Sequence, residues 1–182
     1  MFSSNKDMSH NPTILVLNSS VRQTDSRSAL ASATLVASLL EKHPYAVVQT
    51  RELGYEQLPY INSAWVTANM TEENVRNEAD RQILKKSDEL IAQLKSVDII
   101  VFGCPMYNFN IPAVLKTYLD LVCRKGHTFE YTTTGPIGLL TGKSAYVCLA
   151  TGGVQPGSVA DYATPYIRHI CEFLGINYLE GI

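Results

Sequence analysis

The sequence predicts one α/β domain in which helices cover both faces of a five-stranded parallel sheet. Short apolar runs rich in β-branched residues, typical of strands buried on both faces, alternate along the chain with segments of helical periodicity. A chain of 182 residues is long enough for a single domain of this kind. Because parallel strands require right-handed crossovers, five strands connected in this way suit the order 2-1-3-4-5, counted along the chain.

Each element is predicted from its local pattern. Strands are predicted at the apolar runs, which are 13–18, 46–53, 98–106, 145–150 and 176–179. Helices are predicted where apolar residues recur at helical spacing, which is the case in 30–42, 71–94, 112–122 and 159–174. Thr71 is expected to cap the second helix, with a break near Ser87. Segment 54–69 lacks periodicity and is expected to be a loop, whereas 127–143 is expected to be a long loop or an irregular hairpin.

Composition excludes several classes of partner. Fifteen Lys and Arg against seventeen Asp and Glu give a net charge of −2, without the basic excess that nucleic-acid binding requires. No apolar run approaches the roughly 18 residues that cross a bilayer. The four cysteines form no CxxC pair and the four histidines lack metal-ligand spacing, so we expect reduced thiols, no metal site and a cytoplasmic protein. The domain is predicted to span 13–182, after a disordered tail at 1–12.

Three loops are expected to meet at the carboxyl edge of the sheet, where parallel strands end side by side. The first, 19–28, places hydroxyl groups and two arginines before a helix N-terminus, whose free N–H groups suit a phosphate. Alternatively, Ser26 caps the helix and the other serines are solvated. The second, Met106–Phe109, suits a flat aromatic ring, unless Tyr107 and Phe109 pack into the core. In the third, Gly152 and Gly153 permit close approach to a ligand or form a plain turn.

The spacing of glycine, cysteine and arginine residues excludes several well-defined sequence motifs. The segment 138–144, GLLTGKS, has too few residues between its glycines for a P-loop and precedes a strand instead of following one. No GxGxxG motif for a dinucleotide occurs, and no cysteine is followed by the arginine of a phosphatase loop. The sequence therefore supports neither a P-loop, nor a dinucleotide-binding turn, nor a phosphatase loop.

A wider set of residues carries a resemblance to a known family. These residues are Ile14–Ser20, Ser26–Ser28, Pro105–Pro112, Leu115, Lys116, Asp120, Gly126, Thr128, Phe129, Tyr131, Gly135, Pro136, Gly142 and Lys143. Over about 13–182 the chain resembles the FMN-dependent NADH:quinone oxidoreductases, the azoreductases of the flavodoxin-like fold. That resemblance implies FMN, tightly but non-covalently bound, with NADH as electron donor.

The resemblance also implies roles for particular residues. The FMN phosphate would be held by Ser20, Ser26, Arg27 and Ser28. The isoalloxazine ring would be lined by Pro105, Met106, Tyr107, Asn108 and Phe109 on one side and by Thr151, Gly152 and Gly153 on the other. Tyr131 and Phe173 would orient the substrate in a pocket that a second subunit completes, so a homodimer is implied.

The chain departs from the family pattern in two places. The family usually has Ser-Arg-Gly-Gly after the fourth strand, whereas this chain has Ala150-Thr151-Gly152-Gly153. The family also continues into a final helix beyond Ile182, so the flavodoxin-like three-layer sandwich is expected to lack that helix.

The expected function is two-electron reduction of quinones and reductive cleavage of aromatic azo compounds by a ping-pong mechanism. No side chain is expected to act as a catalytic acid or base, because the flavin carries the hydride chemistry. Two alternatives are a flavodoxin-like electron carrier, which the small net charge disfavours, and a flavin-free ligand-binding relative.

Overall fold

The computed structural model of the chain describes residues 11–22 and 24–179, so most of the predicted tail, 1–12, lies outside the described residues. Its seven strands are β1 (Thr13–Asn18), β2 (Val47–Glu52), β3 (Ile99–Pro105), β4 (Phe129–Thr132), β5 (Gly135–Gly138), β6 (Ser144–Ala150) and β7 (Asn177–Tyr178). Five of them form a parallel sheet in the order β2-β1-β3-β6-β7. The predicted topology is therefore confirmed, with β6 and β7 as the fourth and fifth strands of the sheet.

Helices cover both faces of the sheet, as predicted. They are α1 (Arg27–Lys42), α2 (Ser63–Met70), α3 (Glu78–Ser96), α4 (Ala113–Val122) and α5 (Ala163–Leu174), with short 3₁₀ turns at Leu53–Tyr55 and Glu73–Val75. Side chains alternate along each strand, so Ile14 and Val16 of β1 face α1 while Leu15 and Leu17 face the larger core of α2 to α5. The central strands are buried on both faces, which explains their continuous apolar sequences.

The segment 54–69, predicted to be a loop, contains most of α2. The Asn62 side chain caps this helix by accepting a hydrogen bond from the Trp65 N–H at 2.9 Å. Only Trp65 and Ala68 are buried among its eight residues. So short a helix shows too few buried positions for a periodic pattern, and the prediction was wrong for that reason.

The second predicted helix also differs in its boundaries. Asn77, and not Thr71, caps α3 in a reciprocal capping box with Asp80. No break occurs at Ser87, which is buried inside the helix and donates its hydroxyl to the Leu121 carbonyl at 2.6 Å. Tertiary hydrogen bonding thus satisfies a polar residue that the sequence suggested would interrupt the helix.

The remaining loops are close to expectation. Of the two alternatives for 127–143, the hairpin is confirmed, because β4 and β5 pair antiparallel. The last helix begins at Ala163 instead of 159, after an exposed Val159.

Within the described part of the chain, no helix combines the length and apolar character needed to span a membrane.

Candidate functional site

The first loop leaves β1 at the centre of the sheet and is held from both sides. Ser19 donates its N–H and its hydroxyl to the Gly103 carbonyl, at 2.9 and 3.0 Å, which extends the pairing of β1 with β3. The Ser20 hydroxyl accepts the Arg22 N–H at 3.1 Å. Gly54 packs directly on Ser20, since a Cβ at Gly54 would lie 2.0 Å from the Ser20 carbonyl oxygen. The position of Ser20 is therefore fixed by neighbouring backbone.

The end of this loop forms the N-terminus of α1. The Ser26 hydroxyl accepts the Ala29 N–H at 3.3 Å and lies 3.3 Å from the Ser28 hydroxyl. Ser26 is thus the cap, as one alternative predicted, but Ser20 and Ser28 are 4% and 1% exposed and are not solvated turn residues. A cap of this kind occupies only one N–H of the first turn, so others remain available for an anion beside the exposed Arg27.

The second loop is a tight turn with an unusual backbone. Asn108 and Phe109 have φ angles of 50° and 70°, and Tyr107 and Asn110 exchange N–H···O bonds of 2.9 and 3.1 Å, which defines a type I′ turn. Asn tolerates this conformation, whereas for Phe it costs about 1–2 kcal/mol. Phe109 is 55% exposed and Tyr107 half-buried, so the alternative that both rings pack into the core was wrong.

The third loop follows β6 and leaves an open surface. The β3–β6 pairing continues to its start, where the Met106 N–H donates to the Ala150 carbonyl at 2.8 Å. The Thr151 hydroxyl donates to the Val154 carbonyl at 2.7 Å and so folds the loop back on itself. Gly152 and Gly153 are exposed, and a Cβ added to either would meet no atom within 4 Å. The backbone of these glycines is therefore free to face a ligand.

Hydrogen bonds tie the second loop to its neighbours. The Tyr107 hydroxyl accepts the Val21 N–H at 3.4 Å, which links the second loop to the first. The Tyr162 N–H donates to the Phe109 carbonyl at 3.1 Å, which links the second loop to the start of α5. The second loop is thus connected both to the first loop and to the start of α5.

The start of α5 is organised by Asp161, which the sequence analysis did not single out. Its buried carboxylate accepts the N–H groups of Gly157, Ala163 and Thr164 at 2.8, 3.0 and 2.9 Å. Burial would raise the pKa of Asp161, but these hydrogen bonds outweigh it and hold the pKa below its usual value. The available signal was an Asp placed two residues before a helical run.

Two clefts open on either side of Tyr107. One, of about 480 Å³, lies between the turn and α4 and is lined by Tyr107, Asn108, Asn110, Ile111, Ala113, Lys116 and Tyr166. The other, of about 590 Å³, extends from Val21 and Gly54 to Tyr60 and Thr117. Sequence reasoning missed Tyr166, which is only one of several apolar positions on α5.

The two predicted substrate residues meet through a third aromatic ring. Phe129 lies edge-on to Tyr131, with centroids 5.4 Å apart, and against Phe173 at 4.5 Å. Tyr131 is exposed and Phe173 half-buried, so this cluster presents aromatic side chains to solvent. The ring contacts therefore join Tyr131 to Phe173, on the β4–β5 hairpin and α5, rather than to the turn at 107–110.

Other candidate groups have structural roles. The GLLTGKS segment is no phosphate loop, because Lys143 donates to the Lys95 and Val97 carbonyls and so closes the C-terminus of α3. The four cysteines are free thiols. Among the residues that the structure describes, no group of His, Cys, Asp and Glu side chains is arranged to hold a metal ion.

Comparison with known proteins identifies the family. The model of the flavodoxin-like fold family matches residues 12–182. FMN-dependent NADH:quinone oxidoreductase 2 of Pseudomonas fluorescens Pf-5 is 41% identical over 93% of this chain and 85% of its own length. A Burkholderia pseudomallei enzyme named FMN-dependent NADH:quinone oxidoreductase is 40% identical over 93% of this chain and 88% of its own.

Solved structures agree with this assignment. An azoreductase from Bacillus anthracis superposes with a TM-score of 0.83 and 29% identity, covering 93% of this chain and 86% of the other. An FMN-dependent NADH-azoreductase from the same species, in complex with FMN, gives 0.78 and 26%, covering 94% and 85%. The chain therefore belongs to the flavodoxin-like family and, within it, to the FMN-dependent NADH:quinone oxidoreductases.

Proposed function

We propose that this chain is an FMN-dependent NAD(P)H oxidoreductase that reduces quinones by two electrons and cleaves aromatic azo compounds by a ping-pong mechanism. One observation carries the proposal, which is that three features lie at the same edge of the sheet. They are the N-terminus of α1, the exposed type I′ turn at Asn108–Phe109, and the exposed glycines 152 and 153. The names of the relatives and of the FMN complex support the cofactor and the class of reaction.

The residues of this edge fit FMN. The phosphate would lie at the N-terminus of α1, where Ser26, Arg27 and Ser28 offer hydroxyl groups, N–H groups and one positive charge. Ser20, which is buried in the same loop, would also contribute to holding the phosphate. When bound, FMN supplies the two-electron redox chemistry.

The two further loops would hold the ring. Met106 to Phe109 would lie along one side, and the backbone of Thr151 to Gly153 has the open space needed on the other. In a type I′ turn the two central N–H groups point away from the turn, so those of Asn108 and Phe109 would donate to the polar edge of the ring.

Aromatic side chains would orient the substrate. We assign Tyr131 and Phe173, joined by Phe129, to orienting flat molecules. Because one surface would serve both NADH and the quinone or azo compound, donor and acceptor would occupy it in turn, which is the basis of the ping-pong assignment. We assign no side-chain acid or base to the reaction.

We propose further that the protein is a cytoplasmic homodimer with its active sites at the interface. Exposed apolar side chains line the 590 Å³ cleft, including Val21 and Tyr60, and Phe109 is exposed on the turn at 107–110. Such surfaces are typical of interaction sites. The four free thiols favour a reducing compartment. The molar mass in solution tests the dimer, and a monomer with full NADH:quinone activity would contradict it.

The visible spectrum tests the proposed function. The purified protein is loaded with FMN, freed of excess and treated anaerobically with NADH, then with a quinone. We expect retained flavin absorbance that bleaches with NADH and recovers with quinone. Flavin that NADH cannot bleach would indicate an electron carrier, and a protein that retains no FMN would indicate a flavin-free relative.

The strained turn permits a separate prediction for Phe109→Gly. Glycine relieves the strain of the left-handed backbone conformation, but it also raises the conformational entropy of the unfolded chain. Because these two effects oppose each other, we expect the free energy of unfolding without FMN to change by less than about 1 kcal/mol. FMN affinity should fall, because the ring loses an apolar contact and the turn becomes less rigid. Urea unfolding and fluorescence titration measure the two effects, and an unchanged FMN affinity would remove Phe109 from the site.

A further inference from the structure

The turn at Asn108–Phe109 is connected to α5 through one main-chain hydrogen bond. Asp161 accepts the N–H groups of Ala163 and Thr164 with one carboxylate oxygen, as the N-cap of a helix does. Tyr162 immediately precedes α5, and its backbone is already helical, with φ −94° and ψ −9°. The N–H at this position has no partner inside a helix. Here it donates to the Phe109 carbonyl at 3.1 Å.

This bond ends on the most strained residue of the site. Phe109 has a φ of 70°, and the other bonds that hold its turn are the two between Tyr107 and Asn110. An isolated two-residue turn with a Phe in this conformation has alternatives of similar free energy. A donor fixed from outside the turn fixes the orientation of the peptide group that follows Phe109.

The position of that donor depends on the Asp161 carboxylate. Its second oxygen accepts the Gly157 N–H at 2.8 Å, and the Asp161 N–H donates to the Ser158 carbonyl at 3.0 Å. Loop 157–161 is therefore closed on itself around one buried side chain. The Asp161 carboxylate therefore joins this loop to the first turn of α5.

We infer that Asp161 and the Tyr162 N–H are positioning residues that hold the Asn108–Phe109 turn in the conformation that the cofactor requires. The inference rests on the proposed FMN site for its role in binding, but the hydrogen bond itself forms within this chain without the cofactor. Both groups act through Phe109, and neither is placed in contact with the cofactor or the substrate.

A matched pair of variants isolates the bond. Tyr162→Pro removes the N–H, and proline is tolerated at the start of a helix, where that N–H has no partner within the helix. Tyr162→Ala removes the exposed ring and keeps the N–H. We expect Tyr162→Pro to raise the FMN dissociation constant about five- to tenfold relative to Tyr162→Ala, the effect of one lost hydrogen bond.

A measurement without cofactor accompanies the titration. Hydrogen exchange of the Asn110 amide, which is bonded to the Tyr107 carbonyl, reports whether the turn is held. We expect faster exchange in Tyr162→Pro than in Tyr162→Ala. Equal exchange and equal FMN affinity in the two variants would overturn the inference. If the wild-type protein does not bind FMN, the proposed function fails, and the exchange rates alone decide the inference.

A second pair covers the case in which Tyr162→Pro does not fold. Asp161→Asn keeps the shape of the side chain but faces the Gly157 N–H with an amide that cannot satisfy all three donors. Asp80→Asn is the control, because Asp80 accepts the Asn77 N–H at the exposed N-terminus of α3, away from the site. Weaker FMN binding and faster Asn110 exchange in Asp161→Asn only would support the inference, and the same behaviour in both variants would overturn it.

Discussion

Replacing Gly54 with alanine is expected to lower the free energy of unfolding by about 2–3 kcal/mol and to weaken FMN binding severely. The new Cβ would lie 2.0 Å from the oxygen and 2.7 Å from the carbon of the Ser20 carbonyl, and both are backbone atoms. The contact cannot be relieved by a side-chain rotation. Because Ser19 is fixed to Gly103 by two hydrogen bonds, the strain falls on Ser20 and the residues that follow it.

Urea unfolding without FMN and a fluorescence titration with FMN measure these two losses. Gly142→Ala is the control, since Gly142 has a φ of 77° but no atom within 4 Å of an added Cβ, and it precedes β6 at the opposite edge. It should cost about 1 kcal/mol and leave FMN affinity unchanged. Wild-type stability and FMN affinity in Gly54→Ala would contradict the close packing of Gly54 on Ser20.

Replacing Arg124 with methionine is expected to destabilise the protein by about 3 kcal/mol, because it removes a buried cation together with its partners' hydrogen bonds. The guanidinium is fully buried. It donates to the Asn69 amide oxygen at 2.8 Å, to the Ser87 hydroxyl at 3.0 Å and to the Asp88 carboxylate, and it lies 6.0 Å from the centroid of the Trp65 ring. One side chain therefore joins α2 and α3 to the turn after α4.

The neighbouring Lys125 provides a matched control. Its ammonium group is exposed and pairs with Glu130 at 3.7 Å, so Lys125→Met should cost less than about 0.5 kcal/mol. His127 gives a local readout, because burial and, next, the Arg124 charge lower its pKa. In Arg124→Met the pKa of His127 should rise toward its ordinary value in an NMR titration. Equal stability of the two variants would contradict the role of Arg124.

Sequence alone predicted the sheet because its central strands carry a redundant signal. Every residue of 14–18 is buried, so the apolar run at Ile14 to Leu17 has one plausible structure, and β3 repeats it. The common location of the three loops followed from the topology, since the carboxyl ends of parallel strands lie at the same edge of the sheet. The predictions that were confirmed are thus those for segments whose local apolar pattern matches their burial in the folded protein.

The parts that sequence reasoning missed depend on partners far along the chain. Arg124 and Lys125 look alike in the sequence, and only the packing of α2 and α3 distinguishes the buried cation from the exposed one. Asp161 and Tyr162 matter because Phe109 lies beside them, more than fifty residues earlier in the chain. Asn62 and Asn77 could have been recognised as helix caps, and with them the short α2.

The four free thiols bear on the quinone reduction proposed for this protein. Quinones alkylate thiolates, and a reductase meets them at every turnover. Burial raises the pKa of Cys104, Cys123 and Cys171 to about 12 and that of Cys148 to about 11. At pH 7 a thiol with a pKa of about 12 is ionised in roughly one molecule in 10⁵, so these cysteines offer almost no nucleophile to the compounds that pass the site. With quinones as the proposed substrates, this suppression of thiolate would limit arylation of the protein during turnover.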